Sequence, residues 1–257
     1  MRHSVAYTIL FAGAVCVVCA ILVSTSAVSL SELQDANATL DKRRNVLLAA
    51  GLIDSSRGVS AEDVEKLFEN VSPLVIDLES GEVAPDVNAG AYDQQKAKSD
   101  PALSREAPPN SAVIKRLPKY AVVYHVLGEQ GGVEMIVLPI EGYGLWSTLY
   151  GFLALDADGK TIRGLTYYQH GETPGLGGEV DNPRWKGLWP GRIAFDDSGE
   201  VVIEVIKGQA GPAAADPHQV DGLAGATITS RGVTNMLRFW LGENGFATYL
   251  INYRQKR

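Results

Sequence analysis

From Val5 to Leu30 the chain carries no charged side chain, and from Val5 to Val23 only Tyr7 and Thr8 break a run of apolar and small residues. Wound as a helix at roughly 1.5 Å per residue, the segment is about 39 Å long, enough to cross a hydrocarbon core of about 30 Å with some tilt. A signal-peptide core typically has about 7–15 apolar residues, and this run is longer. A retained anchor is therefore preferred to a cleaved leader, although Ser24-Thr25-Ser26-Ala27 offers small residues of the kind a peptidase cuts. Arg2 lies before the span and Lys42, Arg43 and Arg44 lie beyond it, so the distribution of basic residues leaves its orientation open. Both cysteines, Cys16 and Cys19, fall inside the apolar run. Everything after it is thiol-free and can hold no disulfide, cysteine-ligated zinc or cysteine nucleophile. Within a span, C-x-x-C reads first as two small apolar residues, with contact to a metal centre of neighbouring membrane proteins as the alternative.

The remaining chain has the pattern of an α+β protein, with helices first, then an antiparallel sheet, then helix again. Leu33, Ala36, Leu40 and Leu47 recur at near-helical spacing between Ser31 and Ala50, and Gly51 supplies a stop. Ser60 with Asp63 starts a second helix, which Val64, Leu67, Phe68 and Val71 would make amphipathic. A short strand follows from Leu74 to Leu78. Residues 85–110 are polar, show little periodicity, and are expected to be a long connection. Strands are expected at Tyr120–Leu127, Val133–Ile140, Leu149–Leu155 and Thr161–Tyr168, the last two joined through Asp158-Gly159. Ile193–Phe195 and Val201–Ile206 read as another hairpin. A final helix is expected from about Thr229 to a stop at Gly245. A formal net charge of −7 argues against nucleic acid, which needs a dense basic surface.

Metalloprotease, phosphate-loop and serine-hydrolase signatures are absent. The four histidines, His3, His125, His170 and His218, lack metal-ligand spacing, and no metal site is expected. Two stretches remain. Gly171-Glu172-Thr173-Pro174-Gly175-Leu176-Gly177-Gly178 exposes backbone N–H and C=O groups that side chains would otherwise cover. Asp221-Gly222-Leu223-Ala224-Gly225-Ala226-Thr227 places a hydroxyl behind a glycine turn, at what reads as a helix start suited to an anion.

The second stretch resembles the attachment motif of the FMN-binding domain family, D-x-x-S/T-G-A-T, whose threonine carries FMN through a phosphoester. His170 to Glu179 (H-G-E-T-P-G-L-G-G-E), Gly144 to Gly151 (G-L-W-S-T-L-Y-G) and Asp221 to Ser230 (D-G-L-A-G-A-T-I-T-S), together with the anchor and the length, resemble the C-subunit family of the sodium-translocating NADH:quinone reductases along essentially the whole chain. The G-type subunits of the related ion-translocating electron-transport complex share the attachment motif and are the nearer alternative. A cofactor-free, membrane-anchored scaffold is the more distant one.

The resemblance to the C-subunit family implies a single-span protein of the bacterial inner membrane, with residues 1–30 as cytoplasmic N-terminus and anchor, 31–112 as a connecting region and 113–257 as a periplasmic FMN-binding domain. It implies FMN on Thr227, installed from FAD by a flavin transferase that recognises Asp221, Gly225 and Ala226. Glu172, Thr173 and Leu176 would lie beside the ring, largely through backbone groups. Trp146 would border the same site, although on its own it reads as a core residue, and Lys207 would add positive charge. The implied activity is electron relay within a six-membered, sodium-exporting complex. Ala224 departs from the motif, where a serine or threonine is usual. Threonine is a poor nucleophile without an activator, and no histidine or lysine lies within three residues of Thr227, which fits an external transferase.

Overall fold

The computed structural model describes residues 4–54 and 58–256; Arg2 and His3 lie outside the described residues. The chain divides into two compact units after Lys42. The anchor and the helix expected after it are one continuous element, α1 (Val5–Ala49), because no glycine, proline or cap separates them. Among the described residues it is the one helix long and apolar enough to cross a membrane, and Cys16 and Cys19 are free and exposed on it. Gly51, at φ +70, ends α1: its N–H donates to the Leu48 carbonyl (3.1 Å), and that of Leu52 donates to the Leu47 carbonyl (2.9 Å). This is a Schellman closure, which satisfies carbonyls at a helix end.

In the larger unit, Ser60 caps α2 (Ala61–Phe68) as its sequence indicates, its Oγ accepting from the Asp63 N–H. Val71 does not continue that helix. It begins β1 (Val71–Asp77) and pairs with Val126 of β4 (Tyr120–Leu127), because a β-branched residue opposite a long apolar strand gains more from the sheet than from another helical turn. With β5 (Val133–Tyr143), β6 (Thr148–Asp156) and β7 (Ile162–Gln169), these strands form an antiparallel sheet in the order β1-β4-β5-β6-β7. The connection expected over 85–110 is partly structured. It holds α3 (Gln94–Ser99), capped by Asp93, and β2 (Ser104–Glu106), which pairs with β3 (Arg116–Pro118).

Both faces of the large sheet are covered. On one face, Tyr124, Phe152 and Met135 are buried together with Val46, Leu47, Ala49 and Val64 from α1 and α2. Phe68 meets the Tyr124 ring edge-on, Tyr124 meets Phe152 in the same way, and Phe152 lies 5.3 Å from Tyr168. The other face packs against α5 (Thr227–Leu241) and α6 (Ala247–Gln255) around Trp240, Met236 and Leu237. The Trp240 indole N–H donates to the Glu141 carbonyl of β5 at 2.7 Å. His125 is half-buried, with Nε2 lying 2.5 Å from the Tyr249 hydroxyl.

Three expectations need correction. The hairpin over Ile193–Ile206 is replaced by isolated bridges and by β8 (Glu204–Val205) running parallel to β9 (Gln219–Val220). The last long helix begins at Thr227 and is capped at Gly242, three residues before Gly245. A further helix, α6, follows it; Tyr249 and Tyr253 meet His125, Asn252 donates to the Ser80 carbonyl and Arg254 lies over the Phe195 ring, so polar residues pack on several sides and hide its period.

Phe152 is 1% exposed. Phe152→Ala is expected to cost about 3–5 kcal/mol, read as a lowered urea midpoint for the detergent-solubilised chain; a change below about 1 kcal/mol would mean the site collapses around the deletion.

Candidate functional site

The glycine-rich stretch after β7 folds back on itself. The Thr173 carbonyl accepts from the N–H groups of Leu176 (3.1 Å) and Gly178 (2.9 Å), and a 3-10 turn spans Gly177–Asp181. A short helix, α4 (Pro183–Lys186), follows, capped by Asn182. Thr173 itself is exposed. His170 Nδ1 accepts the Glu172 N–H, which leaves Nε2 to donate to Asp181 Oδ2 at 2.7 Å.

Glu172 is only 6% exposed, and an ionised carboxylate in such a position needs donors. Its Oε1 accepts from the backbone N–H groups of Leu145 (3.0 Å), Trp146 (2.9 Å) and Ser147 (3.3 Å), and its Oε2 from the Thr229 hydroxyl (2.6 Å). Burial pushes its pKa up, but the Thr229 hydroxyl and the N–H groups of Trp146, Leu145 and Ser147 together outweigh it and hold the carboxyl below the usual glutamate value. Glycines give the carboxylate its room on both sides. A Cβ on Gly144 would come within 2.6 Å of Oε1, and one on Gly177 within 2.4 Å of Oε2 and 2.6 Å of the Thr229 oxygen.

Thr227 is the first residue of α5 and is exposed. The N-cap position, Ala226, has no side chain to accept a hydrogen bond, and no side chain caps the first turn. The turn before it is held from behind. Gly225 takes φ +72 and Ala226 N–H donates to the Leu223 carbonyl, while the Leu223 N–H donates to buried Ser230 Oγ. Asp221 Oδ1 accepts the Ala210 N–H, and its carbonyl accepts the Trp185 indole N–H. Asp221 thus shapes the loop through these two bonds. Thr227, Asp221, Gly225 and Lys207 line one open cavity of about 810 Å³, together with Arg231 and Arg238. Arg238 is paired with Glu204.

Beside the helix start, Trp146 (66% exposed), Leu176 and Ile228 present apolar surface to solvent. Leu176 stands directly over Gly225, where a Cβ would meet its Cδ2 at 2.9 Å. Trp146 is therefore not the core tryptophan that its sequence context indicates. The core positions are taken by Trp189 and Trp240, while Glu172 holds the Trp146 backbone at the surface. Sequence reasoning did not pick out Thr229. Its only signal is that it lies two residues after Thr227, inside the recognised stretch.

An aromatic and aliphatic surface beside an uncapped helix start, with an exposed hydroxyl and nearby cationic side chains, suits a phosphorylated planar heterocycle. The sequence model of the FMN-binding domain family matches residues 144–242, which contain all of these groups. The C subunit of the Na(+)-translocating NADH-quinone reductase of Pseudomonas aeruginosa is 47% identical over 258 residues, covering 99% of this chain and 98% of the relative. Its counterpart from Yersinia pestis is 44% identical, covering 99% and 95%. The crystal structure of NqrC from Shewanella oneidensis superposes with a TM-score of 0.77 at 36% identity, over 85% of this chain and 99% of that one. The crystal structure of the C subunit from Parabacteroides distasonis gives 0.65 at 28% identity, over 86% and 96%. The chain belongs to the family of C subunits of the Na(+)-translocating NADH-quinone reductases.

The depressed pKa of Glu172 sets the sign of a pH effect. The carboxylate contributes stability that is fully present above the ordinary glutamate value and lost as pH falls through the lower folded value. At neutral pH, Glu172→Gln is expected to lower stability by about 2 kcal/mol. The difference from the parent should narrow below the usual carboxylate range, as followed by urea midpoints across pH. A difference independent of pH would contradict an ionised Glu172.

Proposed function

We propose that this chain is a single-pass membrane flavoprotein in which Thr227 carries FMN through a phosphoester, and that it relays electrons within a sodium-exporting NADH:quinone reductase. The observation that carries this reading is Thr227 itself, an exposed hydroxyl at the uncapped start of a fifteen-residue helix, α5, opening on the cavity that Lys207 also lines. A phosphodiester there keeps one negative charge, which the first turn of the helix would stabilise by about 0.3–1 kcal/mol. Exposed Trp146 and Leu176 offer apolar surface for the ring, and the exposed loop around Gly175 offers polar groups for its edge. FMN supplies reversible electron uptake, and the protein supplies position and polarity.

Attachment needs the Thr227 oxygen to displace AMP from FAD, forming the new P–O bond as the pyrophosphate link breaks and the hydroxyl proton leaves. No histidine or lysine lies within three residues of Thr227 in sequence, so a flavin transferase provides the activation. Gly225 gives that enzyme an exposed turn backed by buried Ala226, and Asp221 keeps the turn in shape. In this reading residues 1–30 anchor the chain from the cytoplasmic side of the inner membrane, residues 31–112 are the connecting region, in which β1 adds the edge strand of the sheet, and 113–257 form the flavin domain in the periplasm. A body without cysteine presents no thiol to an oxidising compartment. The other members of the complex would supply and withdraw the electrons.

Coexpression of the full chain with a flavin transferase should give a band that fluoresces under ultraviolet light on a denaturing gel, and Thr227→Ala should abolish it. Fluorescence that survives this substitution would move the attachment elsewhere. A dark parent band would refute covalent attachment.

A further inference from the structure

We propose that Thr229 and Glu172 form a positioning pair that locks the Leu145–Ser147 backbone to the first turn of α5, and so fixes the ring-facing surface relative to Thr227. The proposal rests on Thr227 as the flavin tether. A helical threonine can turn its hydroxyl back to a carbonyl three or four residues earlier. Thr229, fully buried, instead donates at 2.6 Å to a side chain 57 positions away in sequence. The other oxygen of that carboxylate gathers three consecutive backbone N–H groups, one of them belonging to Trp146. One carboxylate thus connects the turn that bears Thr227 with the loop that displays Trp146.

The close approach is built in. Gly144 and Gly177 leave no room for a Cβ on either side of the carboxylate, and a Cβ on Gly232 of α5 would fall 2.4 Å from the Tyr143 carbonyl. A tether alone leaves a ring free to swing about its ribityl chain. A surface held rigidly to the tether restricts it, and preorganisation of this kind is how a protein sets the position of a cofactor.

The test uses the full-length chain in detergent, coexpressed with a flavin transferase, as parent, Thr229→Val, Thr229→Ser and Glu172→Gln. Thr229→Val keeps the side-chain shape and removes the donor, whereas Thr229→Ser restores it. The Thr229→Val protein should carry covalent flavin at the parental level on a denaturing gel. Its native flavin emission should rise toward that of the unfolded chain and its anisotropy should fall, and Thr229→Ser should recover both. In protein made without the transferase, hydrogen exchange at Leu145, Trp146 and Ser147 should quicken about tenfold in Thr229→Val and Glu172→Gln, with exchange in the centre of β6 changed much less.

Parental emission and anisotropy in the loaded Thr229→Val protein, or parental exchange in its flavin-free form, would overturn the pair. Equal acceleration in the loop and in β6 would also overturn it, by showing a purely global loss of stability. A dark parent band would sink the tether, while the exchange measurement would still decide whether the pair locks the loop.

Discussion

The close crossing of α5 over β5 governs where every group of the site can stand. Gly232 brings the helix against the Tyr143 carbonyl, Met236 fills the space left by Gly142, and the Trp240 indole bonds the Glu141 carbonyl. With these contacts made, the helix start has one position relative to the end of β5 and the loop beyond it. A larger residue at either glycine would push the helix outward and separate Thr227 from Trp146. The crossing is held mainly by apolar burial, which is non-directional. The glycines and the one indole bond give it a single register.

Electrostatics then decides what that geometry favours. The first turn of α5 has no side-chain cap, so its N–H groups keep their partial positive charge. The nearest buried carboxylate, Glu172, does not cancel that field freely. Its oxygens are already committed to the Leu145–Ser147 backbone and the Thr229 hydroxyl. A buried charge that is fully bonded rigidifies its surroundings, whereas a partly bonded one would be a liability. Membership of the family of NADH-quinone reductase C subunits gives this arrangement its setting, a subunit of an oxidoreductase complex.

Local signals in the chain specify local structure well. The uncharged run, the Ser60–Asp63 cap, the Gly51 stop, the apolar strands and the Asp158-Gly159 turn all act over a few residues, and the structure forms each of them. Where the reading failed, partners distant in sequence were responsible. Val71 is claimed by Val126, β8 by β9, and α6 by the rings around His125. Short polar segments such as α3 and β2 carry too few apolar residues to show a period.

The site divides in the same way. The stretch from Asp221 to Ser230 and the glycine-rich loop were visible in sequence because a glycine turn before a hydroxyl-bearing helix start is a short-range pattern. The sequence by itself determined a long apolar helix, an α+β body without thiols, and a threonine at the start of a helix. Tertiary structure alone decided that Trp146 faces solvent, that Asp221 bonds inward, and that the Glu172 side chain joins two segments. The reason is physical: burial and bonding of a charged or aromatic side chain depend on which distant backbone reaches it, and only packing brings Leu145, Glu172 and Thr229 to one point.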